Sequence, residues 1–240
     1  MSARSKFWLI TGSALLALSA TLALGRWQWS RALQKEAMQA SIDAKAALPK
    51  LDGPALAAQV DPASALYREV VLRGHWIAQR TVFLDNRQMN SKQGLYVVTP
   101  LKLEGSMAVI LVQRGWVARN FVDRTSLPPL QTPQDVVEIQ GRIVPPPGKL
   151  YELGGPERGR IRQNLDIAVF STELGLPLLA VSVQQTGDNR DGLLREWPLV
   201  GTGVDKHYGY AFQWFGLSGL IAILYVWFQI VRRFIHPRPA

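Results

Sequence analysis

The sequence predicts a membrane protein of the α+β class. Two antiparallel transmembrane helices would flank an extramembrane domain built on a mainly antiparallel β-sheet or open barrel with minor helix. Residues 7–24 and 208–231 carry no charged side chain. As helices that rise 1.5 Å per residue they would be about 27 Å and about 36 Å long, which suits the hydrocarbon core of a bilayer. Between them, residues 67–200 hold short runs of β-branched and aromatic residues, which are typical of strands.

These spans divide the chain into five parts. We expect a tail at residues 1–6, the first transmembrane helix at 7–24, a large domain at 25–207, the second transmembrane helix at 208–231 and a tail at 232–240. Two spans place both tails on the same side of the lipid bilayer, so the two helices run in opposite directions.

The distribution of positive charge predicts which side that is. Of 27 basic residues, five lie in the tails: Arg4, Lys6, Arg232, Arg233 and Arg238. Cytoplasmic flanks of spans are enriched in such residues, so the tails are expected in the cytoplasm and the domain in the periplasm. Without the tails the net charge falls from +9 to +4, which argues against nucleic-acid binding. The alternative for the first span is a cleavable signal peptide with its small-residue site at 19–21.

Each element between the spans follows from local composition. Residues 25–48 are rich in Ala, Gln, Lys and Glu, so the first helix is expected to continue until Pro49. A short helix is predicted either at 54–60 or at 62–66, and another at 164–175, with Asn164 as its N-cap and Gly175 as its stop. Six predicted strands are punctuated by Gly, Pro and Asn: 68–76, 81–87, 95–103, 107–117, 135–144 and 180–186.

Familiar catalytic and metal-binding patterns are missing from the sequence. It contains no G-x-S-x-G elbow, no phosphate-binding loop, no dinucleotide fingerprint and no pair of histidines at metal spacing. Because there is no cysteine, disulfides, thiolate metal sites and covalent haem attachment are excluded. The polar group Asp85, Asn86 and Arg87 is interpreted as structural, since such residues at a strand end usually pair with their neighbours.

Small residues on the two spans predict how the helices pack. His207, Ala211, Trp214, Ser218 and Ala222 follow helical spacing on the second helix. On the first helix, small residues recur at every fourth position and lead to a tryptophan: Ser13, Ala17, Thr21, Gly25 and Trp29. Because small residues allow helices to approach closely in lipid, the two faces are expected to pack together.

This packing would bring one of the three histidines to the outer end of the helix pair. His207 would then lie level with Gly25 and Trp29, among many aromatic residues. One interpretation is an aromatic belt at the headgroups, with His207 in a polar boundary. The other is a site for a flat apolar ring whose metal needs an imidazole, which describes haem.

Four motifs resemble the surfeit-locus protein family of cytochrome c oxidase assembly factors. They are "LGRWQWSR" after the first span, "FLDNRQMNSKQGLYVVTPL" and "VQRGWV" in the strands, and "HYGYAFQWFGL" opening the second span. The order of the motifs within a two-span chain makes the resemblance specific. Residues 118–181 contain nothing equally diagnostic.

The resemblance implies a chaperone for respiratory chain biogenesis, without enzymatic activity. It would bind haem a, with His207 as the iron ligand, and deliver it to the oxidase catalytic subunit; the haem a synthesis enzyme would be a further partner. From the predicted helix packing, Gly25, Trp29 and Trp214 would complete the cofactor site, with Arg26 as a nearby cation.

Two further pairs match family motifs and are expected to serve interaction or structure: Trp27 with Gln28, and Gly115 with Trp116. For the haem propionates, nearby cations are Arg26, Arg31, Arg195 and Lys206. Since no Arg-rich transit segment precedes the first span, a bacterial inner membrane is expected rather than a mitochondrial one. The alternatives are a scaffold that docks oxidase subunits without haem, and a membrane-anchored periplasmic enzyme, for which no nucleophile and base stand at a recognisable spacing.

Overall fold

The computed structural model describes residues 2–123, 125–151, 159–188, 191–198 and 203–235. The chain divides into two compact units. One is Ile42–Pro198, and the other combines Met1–Ser41 with Leu199–Ala240. Among the tail residues used to predict orientation, Arg238 lies outside the described residues.

Two long helices dominate the terminal unit. Helix α1 runs without a break over Ala3–Ala46, so the segment predicted at 25–48 is a continuation of the first span. Helix α4 covers Val204–Tyr225, and the chain then continues with π-helical turns over Val226–Ile235. Because α4 begins at Val204, after Gly203 in the left-handed conformation, His207 lies within its first turn rather than in front of it.

Both helices are long and apolar enough to cross a membrane, over Arg4–Ala46 and Val204–Arg232. Large apolar side chains cover their outer faces: Leu16 is 74% exposed, Phe212 78% and Ile223 67%. Water would be a poor solvent for such surfaces, whereas lipid tails would cover them. The helix pair is therefore consistent with a membrane protein.

The other unit is built around β-strands. All six predicted strands are present, with ends shifted by up to three residues. They are β2 Glu69–Trp76, β3 Val82–Met89, β4 Lys92–Leu103, β5 Val109–Ala118, β6 Val137–Val144 and β8 Leu178–Gln185. The sequence did not predict two strands of two residues, β1 Leu51–Asp52 and β7 Ile161–Arg162. The pairings are mainly antiparallel, as predicted; the parallel ones are β1–β2, β3–β7 and β5–β8.

The sheet closes into a barrel instead of remaining open. Strands β2, β6, β8, β5 and β4 follow one another, and β4 pairs back with β2 through Leu101–Leu103. Closure requires these two strands to come very close, and Gly74 allows it, because a Cβ there would overlap the Lys102 carbonyl. Apolar side chains fill the interior, among them Leu72, Ile110 and Val183.

A tight turn joins β3 and β4, where the sequence suggested a longer connection. Met89 pairs with Lys92, so Asn90 and Ser91 alone form the turn. Both have positive φ, 50° and 61°, as a type I′ turn requires.

Short helices flank the barrel. Both predicted positions before β2 are helical: α2 at Gly53–Ala57, capped by Asp52, and a 3₁₀ turn at Pro62–Ala65, capped by Asp61.

Helix α3 spans Ile167–Leu174 and ends at Gly175 in the left-handed conformation, as predicted. The predicted N-cap, Asn164, was wrong, because its amide pairs with both backbone groups of Leu150, at 2.7 and 2.8 Å. Asp166 caps the helix by accepting from the Ala168 and Val169 amides. Its pKa lies below the ordinary value, chiefly through the hydrogen bond from Lys149.

Candidate functional site

The predicted site residues fall into the two compact units. Gly25, Arg26, Trp27, Gln28 and Trp29 belong to α1, with His207 and Trp214 on α4. Gly115 and Trp116 belong to β5 of the barrel.

The helix pair meets along a seam with spacings of three and four residues. Partly or fully buried positions on α1 include Thr11, Ala14, Leu18, Thr21, Gly25, Gln28 and Ala32. On α4 they include His207, Ala211, Trp214, Ser218, Ile221 and Tyr225. Alternating steps of three and four residues average 3.5 residues, the repeat at which two packed helices remain in contact over many turns.

Hydrogen bonds across the seam show that the helices run antiparallel, as predicted. Thr21 and Ser218 place their hydroxyl oxygens 2.6 Å apart in a buried position. Farther along, the hydroxyls of Thr11 and Tyr225 lie 3.0 Å apart. Earlier residues of α1 therefore meet later residues of α4.

His207 meets Gln28 at the other end of the seam. The Nδ1 atom of His207 lies 2.7 Å from Oε1 of Gln28, and both side chains are half-buried. Among the described residues, Nε2 of His207 has no hydrogen-bond partner. The imidazole therefore has Nδ1 in a hydrogen bond and Nε2 without a partner within the described part of the chain.

Trp29 does not face His207 across the seam. An α-helix turns by about 100° per residue, so each step of four residues drifts by about 40°. Over the predicted stripe the drift accumulates, and Trp29 lies on the flank, 49% exposed. Its ring meets Tyr208 edge to face at 5.1 Å, and the Tyr208 hydroxyl donates to Glu36 at 2.9 Å.

Gly25 makes room for a side chain rather than for the opposing backbone. A Cβ at Gly25 would lie 2.6 Å from Cε1 of Phe215. The space above Gly25 therefore holds the Phe215 ring. By contrast, a Cβ at Gly216 or Gly219 on α4 would meet no atom within 4 Å among the residues that the structure describes.

The other motif residues of α1 are exposed. Arg26 points to the surface, and Trp27 is 52% exposed, with the Arg31 guanidinium 5.9 Å from its ring centroid. Trp214 is half-buried on the seam, two turns beyond His207.

Arg195, expected to serve a propionate, is engaged inside the barrel unit. Its side chain is 5% exposed, pairs with Asp191 and donates to the Arg114 carbonyl. These contacts stabilise the packing of residues 191–195 against β5, so Arg195 is removed from the set of candidate cations.

Gly115 and Trp116 fasten that same segment to the barrel. The backbone of Trp116 exchanges hydrogen bonds with Leu194, at 2.8 and 2.9 Å. A Cβ at Gly115 would lie 2.6 Å from Cβ of Leu193. The Trp116 indole is buried and donates to the Arg87 carbonyl at 2.9 Å. This motif therefore has a structural role in the fold.

Arg87 and Asp85 are structural, as the sequence indicated. Asp85 pairs with Arg119 at 3.0 Å. The buried Arg87 guanidinium donates to the carbonyls of Gly148 and Gln163, at 2.7 and 2.9 Å. Burial lowers the pKa of Arg87, partly offset by Tyr96.

No group of three or more His, Asp or Glu side chains that could hold a metal ion occurs within the described ranges. A sequence search for seam residues at alternating steps of three and four, rather than at every fourth position, would have placed Gln28 opposite His207.

A protein-family model and several known proteins match most of the chain. The family model for the SURF1 family matches residues 15–219, a range that includes Gln28, the barrel and His207. A SURF1-like protein of Rickettsia bellii (strain RML369-C) is 27% identical over 224 residues, which cover 90% of this chain and 87% of that protein. A SURF1-like protein of Drosophila melanogaster is 27% identical over 244 residues, covering 91% and 77%. The cytochrome oxidase assembly protein SHY1 of Saccharomyces cerevisiae is 29% identical over 137 residues, covering 54% of this chain and 34% of that protein.

Proposed function

The chain belongs to the SURF1 family, and from this premise we propose that it takes part in the assembly of cytochrome oxidase. The name of the yeast relative supports this role. We further propose that it binds haem a and delivers it to the oxidase catalytic subunit, after receiving it from the haem a synthesis enzyme. It would do so as a membrane-bound chaperone, with no catalytic step of its own.

The observation that carries the haem proposal is the state of His207. It is half-buried on the helix seam, and one of its ring nitrogens has no partner among the described residues. A neutral imidazole nitrogen is a common axial ligand of haem iron. When bound, haem would supply an iron centre and a large apolar ring; the protein would supply one ligand and apolar walls.

A single protein ligand also suits a carrier. Haem held between two protein ligands in a closed pocket is difficult to release, whereas one exchangeable imidazole allows transfer. Trp214, half-buried on the same helix face, would contact the ring, and the exposed cation Lys206, next to His207 in the chain, would meet a propionate. Arg26 precedes Gln28 by two residues and therefore points about 160° away from it around α1, so it is not assigned to a propionate. We propose the bacterial inner membrane as the site of action, with both termini cytoplasmic and the barrel periplasmic.

The test compares His207→Ala with a matched control, His75→Ala. His75 is an exposed histidine on β2, so its loss leaves the seam intact. The full chain is co-expressed with the haem a synthesis enzymes, purified in detergent and examined by optical spectroscopy. We expect a Soret band in the wild type and in His75→Ala, and loss of the band in His207→Ala.

Absence of the band from the wild type would contradict haem binding. If His207→Ala lost the band but kept normal oxidase levels in cells, haem delivery would be wrong and a docking scaffold would be favoured. Trp116 is unsuited to test docking, because its buried indole supports the fold.

A further inference from the structure

Gln28 and His207 form a hydrogen bond whose direction follows from which atom of the Gln28 amide faces the ring. The amide oxygen Oε1 has lone pairs and no proton, so it accepts, and Nδ1 of His207 donates across 2.7 Å. A neutral imidazole carries one proton. With that proton on Nδ1, Nε2 retains the lone pair that a metal requires.

The position of Gln28 on α1 holds this acceptor in place. Gln28 lies on the seam between Gly25 and Ala32, both of which are buried. Three residues after Gly25, it projects toward the first turn of α4, where His207 lies. The hydrogen bond is therefore set by the packing of the two helices.

We infer that Gln28 is a positioning residue for the metal site: it holds His207 with its proton on Nδ1 and leaves Nε2 as the ligand atom. The identity of the metal group rests on the proposed function, but the tautomer does not. Partners of a ligating histidine commonly fix its tautomer and raise its basicity.

The neutral amide has a further consequence for ligand strength. A carboxylate in its place would draw the Nδ1 proton more strongly and make Nε2 a stronger electron donor. An amide orients the ring with a smaller increase in donor strength than a carboxylate would give. Gln28 would thus favour a bond to iron that is formed readily and released readily, as transfer requires.

The first test reads the tautomer without haem. Full-length protein labelled with ¹⁵N-histidine is studied by NMR in detergent micelles, about two pH units above the ordinary imidazole pKa of ~6.5. Comparison with His207→Ala assigns the His207 signals. We expect the Nδ1–H pattern in the wild type and its loss in Gln28→Leu. A wild-type His207 protonated on Nε2 would overturn the inference.

The second test reads the effect on iron. Protein loaded by co-expression is mixed with apomyoglobin, and the rate of haem loss and the midpoint potential are measured. In Gln28→Leu we expect haem loss to be about 10- to 100-fold faster and the midpoint potential to rise. In Gln28→Glu the potential should fall and haem loss should slow, because the acceptor is stronger. Gln213→Leu, an exposed glutamine on α4, serves as the matched control and should behave as the wild type.

The two variants at position 28 separate positioning from packing. If Gln28 only filled space, Leu and Glu would shift the potential in the same direction, and the inference would be wrong. The outcomes also separate the two proposals: a Soret band lost in His207→Ala, together with a wild-type rate of haem loss and midpoint potential in both Gln28 variants, overturns the inference and leaves haem binding intact.

Discussion

Because Gly115 has no side chain, the backbone of residues 191–195 can lie directly against β5. The backbone of residues 191–195 lies against β5, and the neighbouring Trp116 exchanges two hydrogen bonds with Leu194. A methyl group at Gly115 would meet Leu193 Cβ at 2.6 Å and the Leu194 carbonyl at 2.9 Å. Since the second contact is with backbone, a change of rotamer cannot relieve it.

We expect Gly115→Ala to reduce the free energy of unfolding by about 1–3 kcal/mol, the usual cost of overpacking. Chemical denaturation followed by tryptophan fluorescence measures it. The control is Gly148→Ala, since a Cβ at Gly148 would have no atom of the described residues within 4 Å, and it should change stability by less than about 0.5 kcal/mol. Equal effects in the two variants would contradict the packing argument.

The seam between α1 and α4 is held by polar contacts as well as by apolar packing. The Thr21 hydroxyl lies 2.9 Å from the Ala17 carbonyl and 2.6 Å from the Ser218 hydroxyl. It can donate to the first and accept from the second, so both hydroxyls are satisfied in an apolar setting. Helix pairs in lipid depend on such contacts, because an apolar side chain gains little free energy by moving from lipid tails to a contact with another helix.

A double-mutant cycle tests the pair. Thr21→Val and Ser218→Ala each remove one partner, and we expect a coupling energy of about 0.6–1.7 kcal/mol. The free energy of unfolding is measured in bicelles for both single variants and the double variant. The control cycle joins Ser218→Ala with Thr11→Val, whose hydroxyl meets Tyr225 instead; its effects should add within ~0.5 kcal/mol. Additive effects for Thr21 and Ser218 would mean that the hydrogen bond does not stabilise the pair.

Across the whole chain, the two units differ in how they distribute apolar side chains. The helices expose large apolar side chains along their length, whereas the barrel unit has three buried clusters of apolar side chains. Basic residues in both tails favour a cytoplasmic position for the two ends. This orientation would place the barrel in the periplasm.

Labelling of single introduced cysteines tests this orientation. The chain itself contains no cysteine, so the introduced thiol is the only one that can react. Ser126→Cys lies at an exposed position of the barrel unit, and Ser2→Cys lies in the N-terminal tail. We expect a membrane-impermeant maleimide to label Ser126→Cys in intact spheroplasts and Ser2→Cys only after the membrane is opened. The reverse pattern would contradict the proposed topology. Labelling of both variants in detergent controls for their reactivity.

Local patterns in the sequence determined the elements of this protein. Apolar runs of sufficient length predicted the two long helices, and alternating β-branched runs predicted the six main strands, because both properties depend on neighbouring residues. Four short motifs indicated the family, and the family model confirmed it.

Contacts between distant parts of the chain were decided only in the tertiary structure. Closure of the barrel depends on β2 meeting β4, which Gly74 permits and no local pattern reveals. Likewise, Trp29 and Gln28 are neighbours on α1, but their directions differ by about 100°. Only the placement of α4 determines that Gln28, and not Trp29, reaches His207. The sequence of α1 sets the direction in which each of its side chains points, but the position of α4 determines which of those directions faces the interface.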